Sequence, residues 1–200
     1  MITIRSENAT TAIIIVHEIY GINDHIRYIC NMLSKQNVDI ICPNLLDTEG
    51  YFDYKQEHLA YTYFKEYIGF EQSVKQIQQL VFLNRYHYEK IFIIGFSVGA
   101  TVAWMCSELK QIDGVVGYYG SRIRDYLHIL PNCPVLLFFP KEERSFTVKN
   151  LLTKLQGKKI TTHELSGKHG FSDPFSSQYN NDSADKAYCE TLNFLMKYSL

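Results

Sequence analysis

Six short runs of apolar, largely β-branched residues punctuate the chain, at 11–17, 38–42, 90–96, 114–119, 134–139 and 159–165. Most are apolar throughout and do not alternate, the pattern of strands buried on both faces of a parallel sheet. Between them the apolar period lengthens to that of a helix. Residues 23–35 carry Ile26, Ile29, Cys30 and Leu33 at helical spacing, and residues 70–84 carry Val74, Ile77, Leu80 and Val81. Further helices are predicted over 98–109, 145–155 and 183–197. Asn23 or Asp24 is placed to cap the first, and Ser145 the fourth. Strands and helices in alternation predict an α/β class fold, a mostly parallel, doubly wound sheet with helices on both faces. Residues 46–67 fit neither period; rich in Tyr, Phe and His, they predict a short helix or a lid. With no repeat, low-complexity tract or linker, residues 1–200 read as one domain.

Composition narrows the partners. Apolar residues make up 46% of the chain and charged residues 20%, which suits a globular body with a substantial core. The net charge of −1 comes without a basic stripe, against nucleic acid as a partner. The longest purely aliphatic stretch, 12–16, is far too short to span a bilayer, so no membrane partner is expected. Cys30, Cys42, Cys106, Cys133 and Cys189 are odd in number and scattered, with no C-x-x-C spacing. They read as reduced thiols of a cytoplasmic protein, not as disulfides or a zinc site.

In such sheets ligands bind beyond the carboxyl ends of the strands, so the chemistry is sought there. The run ending at Ile94 leads into Gly95-Phe96-Ser97-Val98-Gly99, and a helix follows. This is G-x-S-x-G between strand and helix. A nucleophile held in so tight a turn needs very small residues two positions to either side, which Gly95 and Gly99 supply. The helix beginning at Val98 aims free N–H groups at developing negative charge.

A serine hydroxyl needs a general base. In this kind of fold the partners follow in the order Ser, acid, His. His169, flanked by Gly167 and Gly170 just after the last predicted strand, is the candidate base. The acid is sought after the 134–139 run, where the chain reads Pro140-Lys141-Glu142-Glu143 with no Asp; Glu143 or Glu142 is then the orienting acid. The loop after the first strand, His17-Glu18-Ile19-Tyr20-Gly21, is placed to give one oxyanion-hole N–H, that of Ile19. The residue after the nucleophile, Val98, gives the other. Glu18, Tyr20 and Phe171 are expected to line the substrate pocket, with burial perturbing the Glu18 carboxyl.

These segments resemble the dienelactone hydrolase family of the α/β-hydrolases. His17-Glu18-Ile19-Tyr20-Gly21, followed by His25-Ile26-Arg27, is similar to that family's H-E-I-F-G segment and its helix. Cys42-Pro43-Asn44-Leu45, Gly117-Tyr118-Tyr119-Gly120 and Gly167-Lys168-His169-Gly170-Phe171 resemble A-P-D-L, G-Y-Y-G and A-G-H-x-F, in the family's order. The resemblance implies an α/β-hydrolase fold and hydrolysis of an ester or lactone. Three departures stand beside it. The namesake's nucleophile is a cysteine where this chain has Ser97, and its acid is Asp where this chain offers Glu143. Its substrate-binding arginines have no counterpart: residues 46–67 contain no Arg, and Phe171-Ser172-Asp173-Pro174 follows the histidine. Asp173 therefore favours a neutral or cationic ester.

The resulting expectation is a serine hydrolase that cleaves a small carboxylic ester or lactone through an acyl-enzyme on Ser97. The step calls for no metal and no organic cofactor. A thioesterase or acyltransferase would use the same elbow, and a catalytically silent binding domain of the same fold is the alternative from another class.

Overall fold

The computed structural model describes residues 1–48, 50–143, 146–156 and 160–199. Seven strands form one sheet in the order β1-β3-β2-β4-β5-β6-β7. They are β1 (Ile2–Ile4), β2 (Thr11–Val16), β3 (Asp39–Cys42), β4 (Lys90–Phe96), β5 (Gly114–Tyr118), β6 (Val135–Glu142) and β7 (Ile160–Lys168). Only the edge strand β1 runs antiparallel, against β3; every other pairing is parallel. The helices are α1 (Asp24–Ser34), α2 (Glu57–Tyr63), α3 (Gly69–Asn84), α4 (Val98–Cys106), α5 (Val148–Leu155) and α6 (Asn181–Ser199).

The apolar runs sort into two cores with the strict period of a pleated strand. Ala12, Ile14 and Val16 of β2 join Ile91 and Ile93 of β4 and Val135, Leu137 and Phe139 of β6 on the face covered by α3, α4 and α5. Ile13, Ile15, Phe92, Ile94, Leu136 and Phe138 face the other way, under α1 and α6. Both faces are thus sealed, which is why these strands carry no polar alternation. Asn23 caps α1 as expected, its side chain accepting from the Ile26 N–H. Ser145, the cap expected for the fourth helix, lies outside the described residues; α5 begins at Val148.

Two differences from the sequence expectations matter, and one stretch gains its detail. Strand β1 was not expected, because three residues are too few to establish a period. The 46–67 stretch does hold a short helix, α2, set between a 3-10 turn at Tyr54–Gln56 and a π-helical turn at Phe64–Ile68 that runs into α3. Strands β6 and β7 run three residues past their predicted ends. Glu142 pairs with Lys168 across them, beyond a register shift between Pro140 and Glu142. The next residue on each strand is Glu143 or His169, so the register itself sets these two side by side.

Candidate active site

Ser97 sits between β4 and α4 at φ 52°, ψ −114°, left-handed backbone that a residue with a Cβ seldom adopts. Three backbone bonds hold the turn there. The Ser97 N–H donates to the Tyr118 carbonyl at 2.9 Å, and its own carbonyl accepts from Ala100 at 3.1 Å and Thr101 at 3.3 Å. The glycines have the role their spacing predicts. A Cβ on Gly95 would meet the Gly99 carbonyl oxygen at 2.1 Å, and one on Gly99 the Val16 oxygen at 2.2 Å.

The Ser97 hydroxyl lies 2.8 Å from His169 Nε2. His169 Nδ1 lies 2.9 Å from Glu143 Oε2. A carboxylate only accepts, so Nδ1 carries the proton and Nε2 is free to accept from Ser97. Of the two acids left open by sequence, Glu143 makes this bond, and its side chain is only 8% exposed. Glu142 is exposed at the end of β6. Gly167 and Gly170 beside the histidine take positive φ, 101° and 87°.

Ile19 and Val98 come together in a small apolar cluster with Ala60 and Phe64; Tyr20, Phe52, Ile68 and Phe70 pack against it. Val98 is the first residue of α4, where a helix leaves its N–H groups without internal acceptors. Among the described residues neither the Ile19 nor the Val98 N–H donates to a backbone carbonyl outside regular structure.

The other expected pocket residues divide. Tyr20 is half-buried, its ring edge-on to Tyr54 at 5.0 Å. Glu18 is buried; its Oε1 accepts from the Tyr119 hydroxyl at 3.0 Å. Burial raises the Glu18 carboxyl, a push opposed by His25 and reinforced by Asp173. Phe171 exposes no surface and packs edge-on to Tyr119, so it can support a pocket only from behind. Asp173, read above as facing the substrate, is corrected: it is 1% exposed and accepts from the Tyr54 hydroxyl at 2.5 Å.

Tyr119 escaped sequence reasoning as a site residue, although it lies in the Gly117-Tyr118-Tyr119-Gly120 segment. It too has positive φ, 43°, and its ring packs 5.0 Å from the His169 ring. Burial raises its hydroxyl well above the usual range, keeping it a donor to Glu18. His17, just before Glu18, is buried. The Leu45 N–H donates to its Nε2 at 2.9 Å, so Nδ1 holds the proton and donates to the Glu18 carbonyl at 2.6 Å. Burial lowers the His17 pKa to about 4, which keeps the ring neutral for both bonds.

A sheet of this order, with a serine elbow after a central strand and an acid and a histidine after later strands, defines an α/β-hydrolase. The sequence profile of the dienelactone hydrolase family matches residues 2–199, and the chain belongs to that family of carboxylic-ester hydrolases. It is 42% identical over 171 residues to protein YczH of Bacillus subtilis, covering 84% of each chain. It is 25% identical to the carboxymethylenebutenolidase of Pseudomonas putida, over 92% of this chain and 84% of that one. The solved dienelactone hydrolase from Anabaena variabilis superposes with a TM-score of 0.72 at 14% identity, covering 98% of this chain and 90% of that one. Among the described residues no helix is long and apolar enough to cross a membrane.

Proposed function

We propose that this protein is a serine hydrolase that cleaves a small, neutral carboxylic ester or lactone through an acyl-enzyme on Ser97. The observation that carries the reading is the unbroken chain of bonds from Ser97 through His169 to Glu143, mounted on a left-handed turn. Ser97 Oγ attacks the carbonyl carbon while its proton passes to His169 Nε2. Glu143 holds the ring in the required tautomer and stabilises its cationic form. The N–H groups of Ile19 and Val98 receive the oxyanion, each worth about 3–4 kcal/mol in the transition state. His169 returns the proton to the departing alkoxide. It then takes one from water, which attacks the acyl carbonyl, and hands that proton to Ser97 Oγ as the acyl–Oγ bond breaks and the acid leaves. In a lactone the two products leave as one hydroxy acid.

The apolar cluster around Ile19 and Val98 supports a neutral acyl group, as does the lack of any arginine in residues 46–67. The five free thiols, four of them buried, suit one hydrolase domain working in the cytoplasm.

The test uses a short activated aryl ester such as 4-nitrophenyl acetate. The wild-type protein is expected to hydrolyse it, and Glu143→Gln to lower kcat by about 10³–10⁴-fold. Glu142→Gln, on an exposed side chain, is expected to act like wild type. No hydrolysis of short esters, lactones or thioesters by the wild type contradicts the reading. Equal effects of the two substitutions remove Glu143 from it.

A further inference from the structure

Behind the histidine loop lies a second cluster of ionisable groups that hydrolysis does not use. Glu18 follows β2, His25 lies in the first turn of α1, and Asp173 lies four residues past His169. Their side chains are 6%, 0% and 2% exposed. His25 Nδ1 stands 3.8 Å from Glu18 Oε1 and 4.0 Å from Asp173 Oδ2, and one donor atom from each residue lies within 4.8 Å of the others. Both separations are too long for a hydrogen bond. Neither nitrogen of His25 has a hydrogen-bond partner among the described residues, although the ring is fully buried. Among those residues neither acid is within ion-pair range of a Lys or Arg.

Two buried carboxylates facing an imidazole edge at these distances are costly as they stand. Donors about 2.1 Å from a common ion stand about 3.4–4.2 Å apart, which is the spacing of His25 from each acid. The outer bonds fit the same role. The Tyr119 hydroxyl donates to Glu18 and the Tyr54 hydroxyl to Asp173, which fixes how each carboxylate is turned. We propose that Glu18, His25 and Asp173 form a binding site for one divalent cation, tying the Ile19 loop, helix α1 and the His169 loop together. One nitrogen and two carboxylate oxygens suit Zn²⁺ or Mn²⁺, and the dication balances the two acids. The ion braces the site and takes no part in acyl transfer.

The test measures metal by inductively coupled plasma mass spectrometry, and unfolding of chelator-treated protein as Zn²⁺, Mn²⁺ or Ca²⁺ is added singly. One equivalent of Zn²⁺ or Mn²⁺ is expected to bind the wild type. At free metal about a hundredfold over Kd, its unfolding midpoint should rise by about 5–10 °C. His25→Ala and Asp173→Asn should each lose both effects. Ser97→Ala should keep both, so the outcome does not depend on the proposed hydrolysis. If the wild type binds less than a stoichiometric amount and shows no shift with any of the three metals, the site is not a cation site, and this arm needs no variant to fold. Undiminished binding in folded His25→Ala or Asp173→Asn protein, or stoichiometric binding of Ca²⁺ alone, also overturns the assignment.

Discussion

Ser97→Ala is expected to lower kcat for a short activated aryl ester by about 10⁴–10⁶-fold while the protein stays folded. The loss follows because, among the described residues, Ser97 has the only hydroxyl hydrogen-bonded to the histidine. His169 Nε2 lies 2.8 Å from Ser97 Oγ, and alanine leaves it nothing to deprotonate but water. Any residual rate would come from the Ile19 and Val98 N–H groups and from substrate binding alone. Stability should change little, because the bonds that hold the turn use the Ser97 main chain, which alanine keeps. Steady-state kinetics together with thermal unfolding of the purified variant check both halves. Retained activity removes Ser97 from the mechanism, whereas a large fall in unfolding temperature points to a structural role for the hydroxyl.

Gly99→Ala acts on the same turn through a different quantity. The added methyl would stand 2.2 Å from the Val16 carbonyl oxygen and 2.5 Å from that of His17. Both acceptors are main-chain atoms at the end of buried β2, so neither can rotate away as a flexible side chain could. Relief requires α4 to lift off the sheet, yet α4 is buried almost all round. Forcing in the methyl is expected to cost about 3 kcal/mol or more, a large part of a typical domain's stability. The expected result is a fall of about 10 °C in unfolding temperature, or insoluble protein, with activity lost alongside. An unfolding temperature equal to wild type would mean that the contact between elbow and β2 is looser than described.

How much of this was legible in the sequence depends on how local each cause is. The central strands announced themselves because burial on both faces leaves no polar position in Ile13-Ile14-Ile15 or Ile91-Phe92-Ile93-Ile94. The elbow was equally readable as a pattern: the demand for glycine at position 95 acts within five residues, against Gly99 and Ala100, whereas that at position 99 comes from the distant main chain of Val16 and His17. The choice between Glu142 and Glu143 was not local. It turns on the register of β6 against β7 and the irregularity past Pro140, which neither strand encodes alone. Strand β1 was hidden because it is three residues long, and the short helix expected within 46–67 could not be given bounds because α2 has only one buried residue, Ala60. Asp173 was misjudged because a charged residue in a loop sequence reads as exposed. Its burial depends on Tyr54, 119 positions away. Tyr119 was passed over because its importance lies in its contacts with His169 and Glu18, not in any spacing.

An acyl-enzyme mechanism requires that Ser97 itself carry the acyl group during turnover. The direct measurement is intact-protein and peptide mass spectrometry after reaction with a fluorophosphonate probe and, separately, after acid quenching during turnover of an activated aryl ester. One adduct per chain is expected in each case, mapped to the peptide containing Ser97 and absent from Ser97→Ala. Adducts on another residue, or hydrolysis of the ester with neither adduct formed, would contradict that mechanism.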